Sequence, residues 1–273
     1  MRTHDPIVLR RRLRQRAARL FTFSNANLLR ELALANLQLS DHNSILGALW
    51  GLLAPSLMLG VLWIVFSSRF GRGVAAYPLY LLVGIVTVGF FLTATRYLMT
   101  LFHTHRSLLL DSTVPRETLV ASSLFPHVYK FGIELLLCVV LAASYGFLSW
   151  RVGLLLGPLV IAYVGFVLGV GFLLAIAHCF TGDVEHVWML LSRLLFFATP
   201  VFYTLDSLSP VAQRAVYLLN PVTPFVLAFR NVFLAGEPLD PVVHAHALAL
   251  GVAFFLVGYG VFLRWESLAV ERA

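Results

Sequence analysis

The sequence has little charge, and this scarcity excludes most classes of soluble protein. Charged residues make up 12% of the 273 residues, against about a quarter in a typical soluble domain. Hydrophobic residues make up 59%, and uncharged runs such as residues 44–68 reach the ~20 residues that cross a bilayer as a helix. The composition therefore predicts an all-α integral membrane protein.

Lysine is nearly absent, and this bears on nucleotide binding. The phosphate-binding loop of ATPases ends in Gly-Lys-Ser/Thr. Lys130 is the one lysine, and it lies between Tyr129 and Phe131. The chain therefore lacks this loop, so ATP and its magnesium ion would have to bind to another polypeptide. We expect no cofactor in this chain itself.

The residues that catalysis or metal binding would need are also scarce. Cys138 and Cys179 fall at different expected depths, and they indicate neither a disulfide nor a metal site. His103 and His105 are two residues apart, which on a helix separates them by ~200°. Glu134 is the one acid clearly inside an apolar run, unlike the acids of ion-coupled carriers. A membrane enzyme or a scaffold is therefore the less favoured class.

Six apolar runs are predicted to span the membrane as helices. Their expected bounds are residues 45–67, 77–99, 119–148, 152–180, 187–203 and 242–263. An even number of spans places both termini on one side, which carries twelve arginines against five on the other. The positive-inside rule therefore predicts cytoplasmic termini. Residues 1–43 would form a cytoplasmic tail and residues 44–273 the six-span domain.

The net charge of +7 comes largely from the N-terminal tail, where eight of the 20 basic residues precede the first span. Such a cluster beside a span is typical of a cytoplasmic segment that contacts anionic lipid heads. We therefore expect membrane lipids, and no nucleic acid, as its partner.

Two further apolar segments do not fit a span. Residues 25–40 place leucines on one helical face and polar residues on the other, which predicts an amphipathic helix on the membrane surface or against a partner. Residues 217–235 are interrupted by Pro221 and Pro224, and proline disrupts a helix. The unbroken part is too short to cross, so we expect an outward-facing re-entrant element between spans five and six.

Several motifs follow one another in a recognisable order. The first span opens with SILGALWGLLAPSL, a later connection ends in VPRE, span five ends in FFATPVFY, and LLNPVTPFVLAFRNVFLAG precedes the last span. In these motifs the chain resembles the permease subunit of type-2 ABC exporters. Within that group it is most similar to exporters of lipid-linked polysaccharides, such as O-antigen, capsule and teichoic acid.

The resemblance implies a homodimer, two copies of a separate ABC ATPase, and a path for the sugar chain between the subunits. It also implies that residues 27–43 form the interface helix against the ATPase and residues 103–116 the coupling connection. The expected ATPase contacts are Leu32, Asn36, His105, Arg106, Asp111, Asp183 and Glu185. For the acidic residues, the alternative is that they cap helix starts, where carboxylates are favoured.

Aromatic residues at the outer ends of spans one, two and five are the candidate substrate path. They are Trp63, Phe66, Phe70, Tyr77, Phe196, Phe197, Phe202 and Tyr203. Given the resemblance, their flat faces would form a ring against which sugar rings slide. The alternative is an interfacial aromatic belt that faces lipid, because sequence does not fix the rotation of each helix.

Three charged residues within spans are the polar candidates for the path. Lys130 and Glu134 are four residues apart and share a helical face, so they either pair with each other or form a polar spot on the path. Arg193 either reaches Glu134 or lines the path and binds a lipid-carrier phosphate, a ligand that suits arginine. Gly165, Gly169 and Gly171 of span four are expected to permit close helix packing.

Together these features predict the permease subunit of an ATP-driven exporter in a bacterial inner membrane. It would move a lipid-linked polysaccharide from the cytoplasm outward, with no ATPase activity of its own. An exporter of a drug or a lipid would share this architecture and is the alternative.

Overall fold

A computed structural model describes residues 30–34, 36, 49–71, 73–104, 116–234 and 239–272. Within these ranges the regular structure is helical, without a strand. The helices are α1 (Leu49–Phe70), α2 (Tyr77–Thr104), α3 (Arg116–Ser144), α4 (Trp150–Phe180), α5 (Asp183–Ala198), α6 (Pro210–Leu219), α7 (Thr223–Phe233) and α8 (Pro241–Arg272). One 3₁₀ turn, Leu205–Ser207, lies between α5 and α6.

Five of these helices are long and apolar enough to cross a membrane. They are α1 to α4 and α8, and they confirm predicted spans one to four and six. Two of them extend at least five residues past their predicted ends: α2 continues to Thr104 and α8 to Arg272. Three connections lie at the same end of the bundle, which we call the α1–α2 end. They join α1 to α2, α3 to α4, and α5 to α6.

The predicted fifth span is the exception. Its helix, α5, ends at Ala198 and not at residue 203. Sixteen residues extend about 24 Å at 1.5 Å per residue, which is less than the ~30 Å hydrocarbon core. The helix ends here because Pro200 disfavours helical backbone in the residue before it, and Thr199 is extended with φ −78° and ψ 136°. The described chain thus has five clear spans, or six if α6 and α7 count as one.

The helices α6 and α7 form the broken pair that the prolines predicted. They meet at an angle of 99°. Asn220 lies at the break, where its side-chain oxygen accepts a hydrogen bond from the Val222 N–H (3.0 Å) and its amide nitrogen donates to the Thr199 hydroxyl (2.8 Å). Pro224 occupies the first turn of α7, where a missing N–H is tolerated. The predicted break is confirmed, and re-entry of this pair into the membrane stays a prediction.

The centre of the bundle is α2, most of whose side chains are buried. The closest helix contact joins α4 and α8. Gly169 lies against the backbone of Phe254, and Gly258 lies against the backbone of Gly169. A Cβ atom on either glycine would overlap those backbone atoms. The predicted packing role is therefore confirmed at Gly169. It is also confirmed at Gly171, where a Cβ atom would overlap the Leu98 side chain of α2, whereas a Cβ atom at Gly165 would make only an ordinary contact.

Candidate functional site

Six of the eight predicted path aromatics form one continuous group at the α1–α2 end. The ring of Phe202 lies at its centre and stacks on Phe66 with centroids 4.7 Å apart. The centroids of Phe70, Phe197 and Tyr203 lie 6.2, 6.4 and 5.3 Å from that of Phe202. Phe196 extends the group, 5.5 Å from Phe197. We call Phe66, Phe70, Phe196, Phe197, Phe202 and Tyr203 the aromatic patch.

Trp63 and Tyr77 are the two predicted path aromatics outside the aromatic patch. Trp63 is 48% exposed on α1, and it contacts no other ring among the residues that the structure describes. Tyr77 is only 5% exposed, and its hydroxyl donates a hydrogen bond to the Phe202 carbonyl at 2.7 Å. Tyr77 therefore supports the patch from beneath and does not line an exposed surface.

The turn after α5, residues 199–203, is fixed on α2. The Tyr80 hydroxyl donates to the Tyr203 carbonyl at 2.7 Å. The Tyr203 hydroxyl in turn donates to the Ala198 carbonyl at 2.9 Å. Burial raises the pKa of Tyr203 above its usual value. These bonds hold the backbone that presents the aromatic patch.

Arg230 holds the same turn, and sequence reasoning missed this role because it counted Arg230 as an outer-loop charge. The side chain is 1% exposed, and its guanidinium donates to the carbonyls of Tyr80 (3.2 and 3.3 Å) and Val201 (2.9 Å). A buried charge is very unfavourable unless it is hydrogen-bonded, and these carbonyls meet that need. The sequence does carry a signal for Arg230, because the motif of residues 220–230 begins at the break before α7 and ends at this arginine.

Large apolar side chains of α1 and α5 point away from the bundle. Leu57 and Ile64 of α1 are 59% and 75% exposed, and Leu194 and Phe197 of α5 are 65% and 64% exposed. Arg193 is exposed in the middle of this part of α5. A charge that faces lipid tails is unfavourable. This part of α5 is therefore expected to face water or protein.

Lys130 and Glu134 line a cavity of about 440 Å³ between α1, α2 and α3. Its walls are mainly apolar and include Phe90 and Phe131. Glu134 is 8% exposed, whereas Lys130 is exposed at the edge. Within the described ranges Glu134 forms no ion pair with Lys130 or with Arg193.

The predicted ATPase contacts that the structure describes lie at the opposite end of the bundle or in the N-terminal segment. Asp183 and Glu185 occupy the first turn of α5, where carboxylates also favour the helix start. Leu32 and Asn36 are half-buried and helical. His105, Arg106 and Asp111 fall outside the described residues, as do most of the predicted amphipathic helix and of the coupling connection.

Two histidines that are distant in sequence meet at this opposite end. The ring centroids of His103 on α2 and His178 on α4 are 4.7 Å apart. In the part of the chain that the structure describes, no group of three or more histidine, cysteine or acidic residues is placed to hold a metal ion.

Comparison with known sequences identifies the family of this chain. The family model of the ABC-2 type transporter matches residues 27–234. The O-antigen export system permease protein RfbA of Myxococcus xanthus is 28% identical over 194 residues, which cover 70% of this chain and 74% of the relative. A protein of the same name from Klebsiella pneumoniae is 24% identical over 231 residues, covering 83% of this chain and 87% of the relative. Since the family match includes most of the chain and five apolar helices accompany it, the chain belongs to the ABC-2 type transporter family.

Proposed function

We propose that the chain is the permease subunit of a bacterial exporter that moves a lipid-linked polysaccharide from the cytoplasm outward. Two copies of the chain form the path, and two copies of a separate ABC ATPase supply the energy. The missing phosphate-binding loop supports a separate ATPase. The relatives are named as O-antigen export permeases, which supports a glycan as the cargo.

The observation that carries this proposal is the aromatic patch on α1, α5 and the turn after α5, in which Phe197 is exposed and the other five rings are half-buried. Aromatic rings offer large, rigid, apolar faces, and successive rings in contact give repeated apolar surfaces. Sugar rings present C–H groups on one face, which pack against such surfaces without requiring one fixed register. A long repeating chain can therefore slide along the patch.

Arg193 supports a shared path between two copies. Its position on the exposed part of α5 suits a water-filled or protein-lined space and not lipid tails. A second copy that covers α1 and α5 would create such a space. The guanidinium would then be able to contact the phosphate of a lipid carrier, to which arginine binds in a bidentate manner.

The orientation follows from the arginines. With Arg230 removed from the outer group because it is buried, twelve arginines on the terminal side stand against four on the other. The positive-inside rule then places both termini in the cytoplasm and the α1–α2 end outside. The chain would lie in the inner membrane.

The experiment that tests the proposal is deletion of the gene, with complementation by wild-type and variant chains. We expect the deletion to remove long-chain polysaccharide from the surface and to accumulate its lipid-linked form in the cell. Arg193→Leu should fail to restore export, whereas Arg214→Leu, which changes an exposed arginine of α6, should restore it. Unchanged surface polysaccharide in the deletion strain would overturn the proposal.

A drug or lipid exporter is the second candidate, favoured by the cavity around Glu134. A mainly apolar cavity of about 440 Å³ that holds both Lys130 and Glu134 suits an amphipathic molecule that carries both charges, such as a zwitterionic drug or lipid. If this cargo were the right one, the deletion strain would become more sensitive to such compounds and would keep its surface polysaccharide.

A further inference from the structure

We infer that the chain carries a saccharide-binding cup beside the aromatic patch, at the α1–α2 end. The cup is a cavity of about 510 Å³. Its polar wall contains Arg69, Thr204, Asp206 and Ser207, and its apolar wall contains Phe70 and Phe147. The inference rests on the proposed function, since that function supplies a sugar chain at this place.

Separate segments of the chain build the cup, so the fold fixes its shape. Phe147 follows the end of α3, where Gly146 adopts a positive φ of 74° and the Phe147 N–H bonds to the Ala142 carbonyl at 2.9 Å. The 3₁₀ turn presents Ser207, whose hydroxyl donates to the Thr204 carbonyl at 2.6 Å. Because that hydroxyl uses its proton internally, its oxygen remains an acceptor for a ligand.

The two charges of the cup indicate what kind of ligand it holds. Arg69 and Asp206 are both exposed, and they form no ion pair within the residues that the structure covers. A purely anionic ligand would be repelled by Asp206, and a purely cationic one by Arg69. A polyhydroxylated ligand suits both, because its hydroxyl groups donate to the carboxylate and its oxygens accept from the guanidinium.

The position of the cup connects it to the aromatic patch. Phe70 belongs to both, and its ring centroid lies 6.2 Å from that of Phe202. A sugar chain that moves outward along the patch would therefore reach the cup next. The volume lies within the ~300–1,000 Å³ of small-ligand sites, so the cup takes a short segment of the chain. Binding there would oppose backward sliding between power strokes.

The test measures binding of the released polysaccharide of the source bacterium, freed from its lipid by mild acid. The permease–ATPase complex is placed in nanodiscs, and saturation-transfer NMR reports contact with the sugar protons. We expect Arg69→Gln and Asp206→Asn each to weaken binding by about tenfold, because each removes a charge-assisted hydrogen bond. Phe147→Leu should weaken it as well, without a change of charge.

Matched controls change the same residue types outside the cup. Arg214→Gln alters an exposed arginine of α6, and Asp240→Asn keeps a side-chain oxygen that can accept from the Val242 N–H at the start of α8. Both controls should bind like the wild type. Equal binding by the cup variants, or no binding by the wild-type complex, would overturn the inference. Failure of the proposed function would appear separately, as unchanged surface polysaccharide in the deletion strain.

Discussion

The guanidinium of Arg230 stacks on the ring of Tyr80, with its central carbon 3.3 Å from the ring centroid. The same guanidinium donates to the carbonyls of Tyr80 and Val201. Cation–π contact and charge-assisted hydrogen bonds are each stronger when water is excluded, and Arg230 is 1% exposed. One side chain of α7 thus joins α2 to the turn that carries the aromatic patch.

We expect Arg230→Met to destabilise the folded chain by about 3 kcal/mol, because hydrogen bonds to a charged group are lost and the Val201 carbonyl loses the donor that Arg230 supplies. Thermal unfolding of the purified protein in detergent measures this change. Arg214→Met, on the exposed face of α6, is the matched control and should unfold like the wild type. Equal stability of the two variants would show that Arg230 does not hold the turn.

Two glycines of α4 provide a direct test of the α4–α8 contact. A Cβ atom at Gly169 would overlap the Phe254 backbone, whereas a Cβ atom at Gly157 would have no neighbour within 4 Å. Gly169→Ala should therefore cost about 1–3 kcal/mol through overpacking, and Gly157→Ala should be neutral or stabilising, because alanine favours helix over glycine. Thermal unfolding of both variants checks this, and a neutral Gly169→Ala would contradict the close packing.

The sequence predicted the long helices well, because a run of about 20 apolar residues forms few structures other than a membrane-spanning helix. It failed at the end of α5, where apolar residues continue through Tyr203 although Pro200 ends the helix at Ala198. It also failed at Arg230. A charge in a short apolar segment is typical of a loop, and the sequence does not show which carbonyls of distant segments accept its hydrogen bonds. The sequence did not predict that Tyr77 points inward. This depends on the rotation of α2, and a tyrosine at the membrane interface is compatible with more than one rotation.

The central ring of the aromatic patch should be the most sensitive one for export. Phe202→Ala separates the rings of α1 from those of α5, so we expect surface polysaccharide to fall several-fold while the ATPase still co-purifies with the chain. Phe125→Ala, an exposed ring of α3 outside the patch (41% exposed), should leave export unchanged. Normal export by Phe202→Ala would contradict a sliding role for the patch.

The relation between Lys130 and Glu134 is open to a double-mutant cycle. They lie one helical turn apart, yet within the described structure they form no ion pair. We expect a coupling energy below about 0.5 kcal/mol between Lys130→Met and Glu134→Gln, which is the size found for residues without direct contact. Unfolding in mixed detergent–SDS micelles, measured for the wild type, both single variants and the double variant, gives this energy. A coupling energy above about 1 kcal/mol would contradict this prediction. It would mean that the two side chains pair in the membrane, so that Glu134 is not available to a ligand in the cavity.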